Sequence, residues 1–430
     1  MKKWFHTFSM SSVFLLSVLV SAQDYSLLKL PAIDGASSYA FAINENGQIT
    51  GNSAAAGNNT HAFLWSRTAG IQDISAPGSF WSRGVAINAS GQVAGFYDPC
   101  ACQDVAFFWS PSTGVVNLGK NGGFSSFASG INLSSEVVGT YLDLEESPNG
   151  FLWTPQNGMQ SLTSLGCVGC LPNAVNDSGE IAGAVLLPDG SQHAFVWTLA
   201  DGMTDLGTLG GPNSTVRAIN ILGQVVGSSD TASGAQHAFF WSAATGLQDL
   251  GTLPGFVNAW ANAISATGRV VGASWSPGRD NNGLPFSWTQ ADGLQQLGPF
   301  SKKNISSADG VNTGGQILLS TYSRPRGGPL TYLFTPVMHT TLTSTPNPSH
   351  PGDMVTFTAQ VNSPVQGPPP DGEIVTFTSA GKIIATAPVL AGTASFTEVV
   401  KSTRNFQATY PGDSIYAPSK SKLVKQVVTK

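Results

Sequence analysis

Four cysteines fall in two close pairs, Cys100-x-Cys102 and Cys167-x-x-Cys170. Thiolates at such spacing suit a soft metal in a reducing compartment and a disulfide in an oxidising one. Zinc sites more usually join two C-x-x-C pairs by a shorter segment, so disulfides within or between the pairs are expected and no metal is. His61, His193 and His237 recur at one position of a repeating pattern, as do Asp73, Asp205 and Asp249. Repeat-equivalent residues are distributed around a repetitive fold rather than gathered into one catalytic or metal cluster. The histidines are therefore expected to be strand-end groups satisfied by a loop, and the aspartates surface or turn-capping groups. The chain has no G-x-S-x-G, H-E-x-x-H, P-loop or dinucleotide fingerprint, and no cofactor is expected.

The elements that carry these residues repeat. A small residue, an apolar one and Asn-x-x-Gly-x-apolar-x-Gly begin as AINENGQITG at Ala42 and return at Ala86, Gly130, Ala174, Ala218, Ala263 and Gly310. The aligned positions are Asn44, Asn88, Asn132, Asn176, Asn220, Ser265 and Asn312. Their spacing is four times 44, then 45 and 47. Each copy is followed by an aromatic run, HAFLW ending at Trp65 being the first and TYLF ending at Phe334 a degenerate last. A Gly-apolar-x-x-apolar run then follows in every copy but the last. Leu27 and Leu30 have the spacing of that missing run, at the opposite end of the chain. About 44 residues suits four short strands, and a first strand lent to the last module closes a ring and removes its sheet edges. The expected fold is all-β: a seven-bladed β-propeller over 23–336, closed by the N-terminal strand. The Asn-x-x-Gly turns join innermost to second strands, and the Phe and Trp of the aromatic run fill the space between blades.

These runs resemble the bacterial extracellular HAF-repeat family across nearly all of 24–335. The resemblance implies an exported repeat protein and no particular activity. The departures are Ser265 for asparagine, Leu319 for the closing glycine and the degenerate seventh aromatic run. From 337 to 430 the composition shifts to Thr, Val and Pro in alternating runs, and about seven strands of an immunoglobulin-like β-sandwich are expected. Ala408-Thr-Tyr-Pro-Gly-Asp413 resembles bacterial Ig-like domains in particular.

Residues 1–22 read as a signal peptide: Lys2 and Lys3, the apolar run Val13 to Val20, and small-x-small ending at Ala22. Export to the extracellular space, periplasm or cell surface follows, with no membrane span, since the apolar run is too short for a bilayer of about 30 Å. With 10% charged residues and a net charge of −5, no nucleic-acid partner is expected. The connections from first to second and from third to fourth strand are short, which leaves the long ones, from second to third strand and from fourth strand to the next first strand, together on one face. Phe80, Trp81, Arg83, Phe124, Phe127, Phe256, Trp260, Trp275 and Arg279 belong there, with Asp98, Asp143, Asp280 and the four cysteines. Aromatics among polar groups suit stacking on sugar rings or on a protein surface, while part of them serve as plugs between blades. The reading is a monomeric, non-enzymatic binding protein that recognises an extracellular glycan or protein through this face. An extracellular polysaccharide hydrolase or lyase using the same face, and a structural matrix component, are the alternatives.

Overall fold

The computed structural model describes residues 25–35, 37–100, 102–277, 283–298, 305–321, 330–364 and 367–429. The signal-peptide segment 1–22, Arg279 and Asp280 lie outside them. Among the described residues there is no α-helix, only strands and two 3₁₀ turns. No helix is long and apolar enough to cross a membrane.

One antiparallel meander recurs. Inner strands Ser38–Ile43, Trp81–Ile87, Ser125–Ile131, Cys170–Val175, Gly210–Ile219, Asn258–Ile264 and Ile305–Val311 each pair with the strand that follows. The aromatic run makes the third strand, as at Asn59–Ser66, and the Gly-apolar run the fourth, as at Gly70–Asp73. The sheet begun by Ile305–Val311 takes its fourth strand from Tyr25–Lys29, which pairs with Leu330–Pro336 from Tyr25↔Pro336 to Lys29↔Tyr332. Tyr25 stacks on Phe334 there at 3.9 Å. Phe63, Phe107, Phe151, Phe195, Phe239, Phe286 and Phe334 are all fully buried. Their clusters straddle adjacent sheets: Phe240 of one packs with Phe286 and Trp288 of the next. Burying such a ring removes some 150–250 Å² from water, the largest apolar contribution a repeat of this composition makes.

The inner strands meet at their ends through the repeated asparagine. Asn44 Nδ2 donates to the Asn88 carbonyl at 2.9 Å, and the same bond runs from Asn88 to Asn132, Asn132 to Asn176, and Asn176 to Asn220. Asn220 reaches Ser265 O at 3.0 Å, and Asn312 returns to Asn44 O at 3.1 Å. The amide's other N–H is taken by the side-chain oxygen four residues on, Gln48, Gln92, Glu136, Glu180, Gln224 or Gln316. Its oxygen accepts the N–H of that same residue, which closes the turn. The glycine between sits at positive φ, 71° at Gly47, and Ser135 adopts the same conformation in its place at 62°. Ser265 is too short to reach the next strand; its hydroxyl turns to Thr267 and to the Arg269 N–H.

A second regularity was not anticipated. In every inner strand a β-bulge falls three residues before the asparagine position, at Phe41, Val85, Ser129, Asn173, Arg217, Asn262 and Asp309. A bulge leaves one residue unpaired and re-aims its side chain. It explains the glycine that closes the second-strand motif. A Cβ on Gly51 would lie 2.0 Å from Tyr39 O, and on Gly95 2.0 Å from Arg83 O. Leu319 stands at that position in the sheet closed by Tyr25–Lys29, where the pairing has a further irregularity between Ile305 and Ser307.

Residues 339–426 form two sheets, His339–Thr345 with Met354–Asn362 and Thr393–Val399, against Lys382–Pro388, Ile374–Ser379, Arg404–Tyr410, Ser419–Lys420 and Val424–Gln426. Phe357 and Phe406 meet between them at 4.0 Å. One turn of this unit rests on the closing turn of the ring. Gln316 Nε2 donates to Ser414 O at 3.0 Å, and Gly314 lacks the Cβ that would come within 2.1 Å of Ile415 Cγ2. The other repeats carry Asn46, Ser90, Ser134, Ser178, Leu222 or Thr267 at that position.

Two stability predictions follow from this geometry. The double substitution Ser265→Asn, Arg269→Gln supplies the missing amide link together with its oxygen partner. It is expected to stabilise the chain by ~1 kcal/mol and raise the thermal midpoint by a few degrees. Gly314→Ala is expected to destabilise by about 1–3 kcal/mol through overpacking against Ile415. Calorimetry reads both.

Candidate functional site

Side chains from all the inner strands surround one cavity of about 420 Å³, lined by the bulged residues and the stretch up to the asparagines. Its wall is uneven. Phe41 and Val85 are apolar, Ser129, Asn173 and Asn262 polar, and Arg217 and Asp309 charged. Three of these bind the neighbouring inner strand: Ser129 to Pro172 O at 2.8 Å, Asn173 to Val216 O at 2.6 Å, and Asn262 to Ala308 O at 3.0 Å. Asp309 accepts from the hydroxyls of Ser307 and Ser320. Burial pushes its carboxyl up from the ordinary range, against the pull of those hydroxyls and of Arg217.

Two residues before each bulge, the inner strands carry Tyr39, Arg83, Phe127, Leu171, Thr215, Trp260 and Ser307. This row lies just outside the cavity's lining, at its mouth toward the long connections that lead into the inner strands. Arg83, half-buried, holds its guanidinium 4.7 Å over the Phe41 ring and 5.7 Å from that of Phe96. Phe96 in turn meets Trp81 at 5.4 Å and Phe127 at 5.2 Å, both edge to face, and Tyr39 meets Phe41 at 4.7 Å. Trp81, Arg83 and Phe127 are thus brought together. Phe41, Phe96 and Tyr39 complete the group, and sequence reasoning missed them. Positions three and five before the asparagine were a legible signal for two of these; the cross-strand partner Phe96 was not.

The remaining candidates lie apart from that group. Trp260 pairs with Trp275 at 5.4 Å, and Trp275 Nε1 is buried without a partner. Phe80 is 52% exposed beside Trp81, and Phe124 is 37% exposed. Phe256 packs against the cluster of Phe286 and Trp288, the place of a plug between sheets.

The cysteines form disulfides within each pair, Cys100–Cys102 and Cys167–Cys170. Only the first is exposed on the long-connection face. Its loop is held by Asp98 Oδ1, which accepts the N–H groups of Cys100 and Cys102 at 3.0 and 3.2 Å. Cys167 and Cys170 are buried with Val138, Phe195 and Trp197, because Cys170 begins an inner strand. They belong to the core rather than to the loop face on which all four were expected.

The repeated histidines and aspartates meet one another. His61 Nδ1 lies 2.7 Å from Asp73, His193 2.8 Å from Asp205, and His237 2.9 Å from Asp249, across the third and fourth strands of one sheet. The invariant separation of 12 residues carried that pairing in the sequence. The aspartates also cap the following turn through the N–H of Ser75, Gly207 and Gly251. No group of three or more His, Cys, Asp or Glu able to hold a metal occurs among the described residues.

Residues 342–429 match the family described as bacterial Ig-like domain (group 3). No curated protein matches the chain. Among solved structures it is similar to TolB from Acinetobacter baumannii, with TM-score 0.41 and 13% identity over 58% of this chain and 62% of that one. A prolyl endopeptidase gives 0.44 and 11%, over 80% and 55%. A gluconolactonase from Xanthomonas campestris gives 0.36 and 11%, over 71% and 96%. This chain spans less than two thirds of the first two. None of these scores reaches 0.5, and nothing about the site rests on them.

Burial raises the Asp73 carboxyl, but the Ser75 hydroxyl and N–H and His61 outweigh it and hold it below its ordinary 3.8. The folded state therefore binds this proton less readily than the unfolded one. The contribution is present above about pH 4 and lost as pH falls through the lower folded value. Asp73→Asn is expected to flatten the acid limb of stability below pH ~4, read by thermal unfolding against pH.

Proposed function

We propose that the repeated sheets are the blades of a seven-bladed propeller of HAF-repeat type, spanning 23–336 and followed by the Ig-like unit at 337–430. The chain is an exported, non-enzymatic binding protein. The signal-like segment 1–22 supports export, and the bacterial Ig-like match fits an extracellular setting. The propeller recognises an extracellular glycan through the cavity mouth on its long-connection face.

One observation carries this reading: Trp81, Arg83, Phe96 and Phe127 form a contiguous aromatic and guanidinium surface at the mouth, with Phe80 exposed at its edge. Rings of this kind stack on the apolar faces of sugars, and the polar residues of the wall orient hydroxyls. A surface serving only to close the gap between sheets would not leave Phe80 open to solvent.

The purified chain should be retained on a panel of extracellular polysaccharides. Trp81→Ala is expected to weaken retention about tenfold, the loss of ~1.4 kcal/mol of stacking. His237→Ala, three sheets away from Trp81, should leave it unchanged. Retention of none of the polysaccharides by the folded chain would overturn the glycan reading.

A further inference from the structure

We infer that the ligand of the cavity mouth is an acidic polysaccharide built from uronic acids, and that Arg83 binds its carboxylates. The inference rests on the glycan reading above and adds the ligand's charge class.

Arg83 is the observation that calls for it. Its side chain is half-buried, with the Nε atom buried and without a hydrogen-bond partner. Among the described residues the guanidinium makes no hydrogen bond or ion pair; its neighbours are the faces of Phe41 and Phe96. A cation withdrawn from water without an anion costs free energy that aromatic faces offset only in part. Burial accordingly lowers its proton affinity, opposed by the fields of Tyr39 and Asp104. Asp104 acts on this charge through space without coming to ion-pair distance.

An unpaired guanidinium held against two rings is preorganised to receive a carboxylate through its planar fork. The rings flank it where a sugar carrying that carboxylate would stack: Trp81 and Phe127 both abut Phe96. Arg217, exposed in the cavity wall three inner strands away, makes no hydrogen bond or ion pair among the described residues, but its charge acts on the Asp309 carboxyl of the same wall. Arg83 has no such wall carboxylate. A polymer with a carboxylate on each sugar supplies Arg83 with the counter-charge that a neutral polymer does not.

The test measures the affinity of the full chain for oligogalacturonate and for the same oligomer with its carboxyls reduced to alcohols. The acidic form is expected to bind 10–100-fold tighter, the range of a charge-assisted, bidentate contact. Arg83→Gln should abolish that difference, so that the two oligomers bind with equal affinity. Arg83→Lys should restore it in part, since charge returns without the fork. Trp81→Ala should weaken both forms alike. Equal binding of the two oligomers by the wild-type chain would overturn the uronate assignment and leave the glycan reading standing, and this comparison needs no variant to fold. Failure to bind either oligomer, with neutral polysaccharides still retained, would also overturn the assignment alone. Preference for polyglutamate over oligogalacturonate would overturn it in favour of an acidic protein partner.

Discussion

The structure depends on one hydrogen bond made repeatedly: a buried asparagine amide donating to the backbone carbonyl of the corresponding asparagine in the next sheet. Each amide is used completely. One N–H crosses to the neighbour, the other meets a Gln or Glu in its own turn, and the oxygen closes that turn. A buried amide left half-satisfied costs more than a satisfied one contributes, so the side chain is tied to its geometry. Sheets that touch mainly through non-directional apolar contacts thereby acquire a definite relative position. The bond from Asn312 to Asn44 joins residues 268 apart and makes the chain of links return to its start. Ser265 is the single member that cannot donate onward, and there the packing of Val271 and Leu297 against Val311, Ile317 and Phe334 of the next sheet holds the two without it.

This framework separates what must stay constant from what is free to vary. The asparagine, the small residue two before it and the closing glycine are set by close approach of backbones. Gly130 leaves only 3.1 Å between its absent Cβ and Ala174 Cα. The bulged residue just before that small residue meets no such limit, since its side chain is turned into the cavity. That one position holds Phe, Val, Ser, Asn, Arg, Asn and Asp around the ring. The row at the mouth, two residues earlier, is as diverse. Ligand chemistry can therefore change at these two rows without disturbing the packing that encloses them, and the arginine-aromatic cluster lies there.

Ring closure has two supports beyond the amide links. The strand Tyr25–Lys29 satisfies the outer edge of the last sheet, and the Asp413–Tyr416 turn presses on its innermost turn. Asp413 Oδ1 organises that turn by accepting the N–H groups of Ile415 and Tyr416. The irregular features of the last repeat, Gly314 and Leu319 among them, sit where the C-terminal unit and the closing strand impose constraints the other repeats do not share.

Much of this was legible in the sequence because a repeat reports local geometry many times over. The period, the four strands, the Asn-x-x-Gly turn, the buried Phe-x-Trp run and the N-terminal strand all depend on residues close in the chain or in fixed register. The tertiary structure alone decided what each group meets across sheets. The asparagine's onward bond and the bulge at Phe41 and Arg217 depend on backbone paths and on partners 44 to 268 residues away. The isolation of Arg83 belongs to the same class. An arginine in a sequence carries its charge, but whether a carboxylate stands within reach is a property of the space around it, and here Phe41 and Phe96 occupy that space instead.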